Sequence, residues 1–531
     1  MSQYDAIVIG AGHNGLVCAA YLAGAGLKTC VLERRGVVGG AAVTEEFHPG
    51  FRNSVASYTV SLLNPKVMRD LDLAGQGLRI VERKIQNFLP LPDGRYLKIG
   101  DGRTKGEVAK FSPRDAERLE AYDDRLQAIA DVLRSLVLET PPNVAGGMAG
   151  LLELLKAARI GNRLRALGLE GERDLLALFT GSAGDYLDQW FESDPIKAVL
   201  GFDGIVGNYA SPYAPGTAYV LLHHVFGEVN GKKAIWAHPI GGMGAITQAM
   251  AKAAAGRGAE IRLSSPVREV MVERGRATGV VTESGERIDA KLVVSNLHPK
   301  LLFQKLLDPA TLAPEFRARI EGWRGGSVTF RMNVALSELP DFTVLPGTAP
   351  ADHHASGIIL APSLRYMEQA YFDARQFGWS KQPVVEMVIS STHDETLAPK
   401  GQHVASLFCQ HVEPHLANGD SWDKHRDEVA DLMIATVDGY APNFKRSVIG
   451  RQIMSPLDLE RTFGLIDGDI FHGAMDLGQI FSARPLLGNA DYRAPIKGLY
   501  MCGSGTHPGG GVTGLPGHNA AREILRDLRG R

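Results

Sequence analysis

The sequence predicts an α/β fold in which a largely parallel sheet, assembled from three separated segments, carries a second, inserted α+β unit. Three observations point that way. The chain opens on a buried-strand pattern that runs at once into Gly10-Ala11-Gly12-His13-Asn14-Gly15, a helical stretch and a second strand. It closes on a strand, a glycine-rich turn and a helix. Between them, residues 239–295 supply another glycine turn, a helix and four short strands.

The elements follow in order. Ala6-Ile7-Val8-Ile9 is a short apolar run of the kind buried in parallel sheets. Residues 16–25 have helical apolar spacing and stop at Gly26. Thr29-Cys30-Val31-Leu32 is the second strand, and Glu33 closes it 18 residues past Gly15. Strand, GxGxxG, helix, strand and acid together form a dinucleotide fingerprint of Rossmann type. Gly10 permits the tight turn, Gly12 lets backbone approach a pyrophosphate, and Gly15 allows close helix–strand packing. The helix N-terminus offers N–H groups and a dipole to the anion, and Glu33 suits the ribose hydroxyls. Residues 89–97 read as a hairpin with Asp93-Gly94 at its tip. Strands are expected at 260–263, 267–272, 279–282 and 292–295, and again at 328–335, 384–390 and 404–410.

Composition narrows the class. Lys+Arg 57 against Asp+Glu 59 leaves a net charge of −2, which argues against a nucleic-acid binder working by bulk charge. At 44% hydrophobic and 22% charged residues, the chain reads as a well-cored globular protein. Glycine is the outlier, at 61 of 531 residues. Four scattered cysteines (Cys18, Cys30, Cys409, Cys502) make neither a disulfide framework nor CxxC, so no metal site is expected. The first apolar run starts almost at the N-terminus, no N-x-[ST] sequon occurs, and no ~18-residue apolar stretch exists. The expected location is cytoplasmic. Peripheral membrane contact stays open, because residues 151–167 join an apolar face to Lys156, Arg159, Arg163 and Arg165. A solvated helix is the alternative there.

A second glycine pair, Gly39-Gly40, follows the acid closely and resembles the FAD fingerprint of glutathione-reductase-like flavoproteins. Many of these carry Arg after the pair, where this chain has Ala41. Near the C-terminus, Gly503-Ser504-Gly505-Thr506-His507-Pro508-Gly509-Gly510-Gly511 presents bare backbone N–H groups ahead of a helix, suited to an electron-rich flavin carbonyl. No other strand-borne GxGxxG is found, so one dinucleotide is expected and NAD(P)H is not a tight partner.

The residues at 9–16, 39–46, 187–193, 219–224, 470–473, 483–485 and 502–511 together resemble the phytoene desaturase/carotenoid isomerase-like FAD oxidoreductases. Within them the chain is most similar to the pyridine nucleotide-disulphide oxidoreductase domain-containing protein two group. The resemblance implies a Rossmann-like FAD-binding domain at 1–75, 237–300 and 485–531. A substrate domain with a helical lid would take 76–236 and 301–484. It implies hydride removal from an apolar or amine-bearing small molecule. The alternative is a FAD-bound non-redox isomerase, or a binding or assembly protein. No redox dithiol is evident, since Cys18 and Cys30 read as small core residues.

Cofactor contacts are expected at Gly10, Gly12, Gly15, Glu33 and Arg34, and at Gly39, Gly40 and Val267. The C-terminal turn adds Gly503, Ser504, Gly510, Gly511 and Val512. His507 is the candidate catalytic residue, polarising the flavin or touching substrate; capping the turn is the alternative. His223 and His224 end an apolar run; in an extended strand they would point to opposite faces and could not share a metal, so one of them could face the pocket, with a satisfied structural histidine as the alternative. Arg484 could meet phosphate or a substrate anion, or form an interdomain salt bridge. Tyr58, Tyr209 and Tyr213 are pocket or core candidates.

Overall fold

Strand Tyr4–Ile9 sits inside a seven-stranded sheet, parallel to Thr29–Leu32 on one side and to Arg287–Ser295 on the other. The computed structural model of the protein describes residues 3–143 and 148–530. Glu260–Arg262 extends the sheet beyond Thr29–Leu32, and Leu499–Met501 pairs with the end of Arg287–Ser295. Arg276–Thr282 and Val267–Glu273 continue it as an antiparallel meander.

The first strand is apolar throughout because both its faces are covered. Ala6 and Val8 pack into a cluster with helices His13–Gly24, Gly244–Gly256 and Leu515–Arg529. Ile7 and Ile9 pack on the other side with Val270, Val280 and Leu302. The three stretches of sequence meet here because their strands share one ladder: Val8 lies opposite Val31 and Val294, and Val293 opposite Leu499.

A second seven-stranded sheet runs Val448–Met454, Phe330–Leu336, His403–Val412, Trp379–Val388, Gly357–Leu360, Ile85–Pro90, Tyr96–Gly100. Its period-two alternation divides two cores. Leu407 and Cys409 join the helix Trp422–Asp438, whereas Phe408 turns to the helices Pro113–Leu136, Asp194–Ile205 and Thr217–Val225.

One expected element differs. Residues 217–225 form a helix, entered through Gly216 at φ +89°, and not an extended strand. An apolar run this short fits either conformation, and packing against helix Asp194–Ile205 decides it. The cationic stretch is helix Met148–Arg165; the side chains of Leu151 and Leu152 lie outside the described residues. Leu154 and Leu155 are exposed, while Lys156 pairs with Glu153 and Arg163 with Glu139. No described helix is long and apolar enough to cross a membrane.

Candidate active site

The nucleotide end of the cleft is built from backbone. Gly10, at φ +94°, turns the chain from the first strand, and its N–H donates to the Leu32 carbonyl at 2.8 Å. Gly12 is the N-cap of helix His13–Gly24, whose first turn carries no acidic side chain. A Cβ on Gly15 would stand 2.1 Å from the Gly10 oxygen, and one on Gly12 2.7 Å from Asn296 Nδ2. The second glycine pair folds back onto the first. Gly39 N–H donates to the Ala11 carbonyl at 2.9 Å, and a Cβ on Gly40 would come within 3.4 Å of Gly12 Cα. Glu33 is buried and has no cation partner. Its carboxylate accepts the N–H groups of Ala11 at 2.8 Å and Arg35 at 3.0 Å.

The C-terminal turn closes this end. Gly503 is packed beneath Asn296, where a Cβ would lie 2.7 Å from its carbonyl oxygen. Gly510 lies under Phe471, where a Cβ would stand 2.4 Å from Cδ1 of the ring. Ser504, Gly511 and Val512 line the cleft together with Gly10, Gly12 and Glu33. Asn14 Nδ2 donates to Ser504 Oγ at 3.2 Å and ties the two glycine turns together.

Of the expected site residues, Gly15, Gly503 and Gly510 are packed behind the cleft wall, and Arg34, Val267 and His507 stand apart from it. The Arg34 side chain is exposed and donates to the carbonyls of Arg461 (3.2 Å) and Thr462 (2.7 Å), away from the cleft. Val267 opens a meander strand opposite Thr282 and does not line it. His507 is buried with Nε2 3.3 Å from the Leu136 carbonyl and its ring edge-on to Phe481. Its imidazole does not line the cleft, and burial holds its pKa down at about 3, so it is neutral. The reason is local: the turn aims the ring outward at the end of helix Pro113–Leu136, leaving backbone to face inward.

Arg484 is also not an anion site. Fully buried, it donates to the carbonyls of Ser504, Ala474, Gln479 and Phe471, clamping residues 471–484 onto the C-terminal turn. Burial lowers its pKa to about 10, which leaves it charged at neutral pH.

The other end of the cleft is made of side chains. Tyr58, Val206, Trp236, Phe408 and Ile470 line it, drawn from five distant parts of the chain. The Tyr58 hydroxyl donates to the buried Glu386, and the Arg331 guanidinium lies 4.4 Å above the Tyr58 ring centroid. Burial pushes the Glu386 carboxyl upward, opposed by the Arg83 and Arg331 charges and the Tyr58 hydrogen bond. Tyr209 and Tyr213 do not reach the cleft; Tyr209 stacks edge-on to Tyr371 and Tyr213 bonds to Asp188. His223 and His224 stand on successive positions of one helix, their rings 5.7 Å apart, and His224 lines the cleft. Among the described residues no group of three His, Cys, Asp or Glu is placed to hold a metal.

His13 and Asn296 were not foreseen. Both line the cleft beside the glycine turns, and His13 lies inside the fingerprint itself, where its position was a usable signal. Buried polar atoms without a protein partner gather here: His13 Nε2, Asn14 Oδ1, Ser61 Oγ and His472 Nδ1. Such groups call for a polar ligand, and the cradle at Gly12 and Gly40 leaves room for a pyrophosphate. The residues fit FAD.

The model of flavin containing amine oxidoreductases matches residues 15–330. The chain belongs to this family. The rat pyridine nucleotide-disulfide oxidoreductase domain-containing protein 2 is 42% identical, covering 99% of this chain and 94% of its own. A lycopene-forming phytoene desaturase from Pseudescherichia vulneris is 26% identical over 96% of each chain. A solved putrescine oxidase bound to putrescine superposes with a TM-score of 0.62 at 16% identity, covering 99% of both chains; at that identity the likeness is one of fold. The protein is therefore a FAD-dependent oxidoreductase of the amine oxidase and desaturase type, with the amine-oxidase-type FAD-binding fold.

Proposed function

We propose that the protein dehydrogenates an apolar small molecule at a C–C bond, with the substrate held at the Tyr58–Trp236–Phe408 end of the cleft. The observation that carries this reading is the charge of the lining. Glu33 is the one carboxylate among the cleft-lining residues described, and it is engaged at the nucleotide turn. An alkylammonium substrate would find no carboxylate among the residues lining the aromatic end, and a buried charge without a counter-ion is costly. An apolar chain loses nothing there and gains ~25 cal/mol for each Å² removed from water. The phytoene desaturase among the relatives supports the same class.

Gly10, Gly12, Gly39 and Gly40 would admit the pyrophosphate, and Glu33 would hold the ribose. Backbone N–H groups of Gly511 and Val512, at the approach to helix Leu515–Arg529, would face the flavin carbonyl side. When bound, FAD supplies a two-electron hydride acceptor. The aromatic wall excludes water from the reacting carbons, and Arg484 keeps the glycine turn in place.

Anaerobic mixing tests the reading. FAD-loaded protein is combined with acyclic and cyclic terpenoids in micelles, and in parallel with aliphatic amines. The terpenoid series should bleach the visible flavin band. Bleaching by amines alone, or by neither series, would overturn the proposal.

A further inference from the structure

We propose that His224 is the proton acceptor of this dehydrogenation, acting through Nε2; the inference rests on the function proposed above. His224 occupies the last turn of helix Thr217–Val225 and lines the cleft. Its Nδ1 lies 2.9 Å from the Asp203 carbonyl and 2.9 Å from the Val220 carbonyl. Carbonyl oxygens only accept, so Nδ1 carries the hydrogen and the neutral ring keeps its lone pair on Nε2. Two carbonyls from two helices fix the tautomer and the ring plane together. Trp236, 5.6 Å away and tilted 36°, walls one side of the ring, and His223 stands edge-on to it.

Of the other titratable groups lining the cleft, Glu33 and Tyr58 are engaged, and His13 stands at the nucleotide turn. Glu33 holds the nucleotide turn, and the Tyr58 hydroxyl donates to Glu386. His13 begins the nucleotide helix, and His472 stands beside His298 with the Arg484 charge acting on it. His224 is left as the base at the aromatic end.

Removing two hydrogens from adjacent carbons requires two acceptors. One C–H bond would break with its electron pair, which would leave as hydride to an oxidant, the role FAD would fill when bound. The second C–H bond gives its pair to the new C=C bond and its proton to Nε2. Burial lowers the His224 pKa to about 4, so the ring is neutral and weakly basic at neutral pH. Such a base cannot strip an unactivated C–H bond or an ammonium. It suffices once the departing hydride has made the neighbouring carbon cationic, since a proton beside such a centre is strongly acidic. The Asp203 and Val220 carbonyls then stabilise the imidazolium through Nδ1–H, much as an orienting acceptor serves a catalytic histidine.

Two measurements decide it, the first independent of turnover. In holoprotein labelled with ¹⁵N-histidine, the resonances lost in His224→Gln should show Nδ1 protonated and Nε2 bare; a protonated Nε2 overturns the proposal. In anaerobic single turnover with a terpenoid that bleaches wild type, His224→Gln should retain its FAD and slow bleaching about 10²- to 10⁴-fold. Imidazole added to His224→Ala should restore part of the rate. A wild-type rate in His224→Gln, loss of FAD, or no imidazole rescue would overturn the assignment while leaving the proposed function intact. If no terpenoid bleaches wild type, the proposed function falls and this base falls with it.

Discussion

At the nucleotide end of the cleft the lining is largely backbone, at Gly10, Gly12, Gly39, Gly40 and Gly511, joined by the polar side chains of His13, Asn14, Asn296 and Ser504 and by Glu33 as the one committed carboxylate. At the aromatic end it is made of side chains, Tyr58, Val206, His224, Trp236 and Phe408, with bulk and little charge. The contrast follows from what each end must hold. A pyrophosphate is recognised by close N–H groups, and a side chain on the glycines would take its place. An apolar molecule is recognised by shape and dry surface, which side chains supply. The first kind of site tolerates almost no substitution at its glycines; the second can be reshaped without disturbing the first.

The largest expected effect tests that separation. Wild type should carry about one non-covalent FAD per chain, released into the supernatant by acid precipitation. Gly12→Val should carry none, because its side chain fills the pyrophosphate space and presses on Asn296 Nδ2. Absorbance of flavin against protein measures it. Retention of FAD in this variant would mean that the glycine turn is not the cradle. Phe408→Leu, at the aromatic end, should leave the ratio unchanged.

Next is the clamp between the two ends. Arg484→Met leaves five carbonyls, those of Phe471, Gly473, Ala474, Gln479 and Ser504, without their donor and should cost about 3–5 kcal/mol, as for other broken buried charged hydrogen-bond networks. Arg484→Lys should not rescue it, since one ammonium cannot reproduce the fork. Thermal unfolding of the FAD-free and FAD-loaded forms gives the measurement. An unchanged midpoint in both would contradict the clamp.

The nucleotide end was legible in the sequence because its parts are contiguous. Strand, turn, helix and acid occupy residues 4–33, and local spacing specifies them. The aromatic end was not, because Tyr58, Trp236 and Phe408 come together only when the second sheet packs over the first segment. No local pattern marks Phe408 among the apolar residues of strand His403–Val412; its side of the sheet decides. Arg34 follows the cleft-lining Glu33, and His507 lies in the turn between Ser504 and Gly511, but the chain direction turns their side chains to neighbours that only the fold supplies. His224 was read within an extended run, and a helix instead sets its ring against Asp203.

The pH dependence of stability tests the burial of His507, and flavin reduction tests whether it has a role beyond that. His507, neutral and fully buried, has its pKa lowered from 6.5 to about 3. A depressed folded pKa means the unfolded chain binds the proton first. The stabilisation is whole above pH 6.5 and is lost as pH falls toward 3. At pH 5 the loss is about 2 kcal/mol, from roughly 1.5 pH units at 1.36 kcal/mol each. His507→Gln should therefore lose less stability than wild type between pH 7 and pH 5, by about that amount, with FAD content and flavin reduction unaltered. Unfolding midpoints across that range test it. Slowed single-turnover reduction with FAD retained would return His507 to a catalytic role.

The smallest expected effect belongs to Arg34, which stands next to Glu33 and yet serves neither end. Its guanidinium donates to the carbonyls of Arg461 and Thr462, both in the segment leading to Phe463 and Leu465 of the cleft wall. Those carbonyls close helix Pro456–Phe463, whose chain leaves through Gly464 at φ +70°, so water can replace the lost donors at an exposed site. Arg34→Ala should shift stability by no more than about 0.5 kcal/mol, the range of ordinary surface substitutions. FAD content and the affinity of apoprotein for added FAD should match wild type, because no phosphate contact is removed. A tenfold weaker FAD affinity would show that the side chain swings back onto the cofactor and that the nucleotide end relies on a cation after all. A changed terpenoid rate with unchanged FAD affinity would instead place Arg34 as a support of the Phe463–Leu465 wall, linking the two ends through the loop between them.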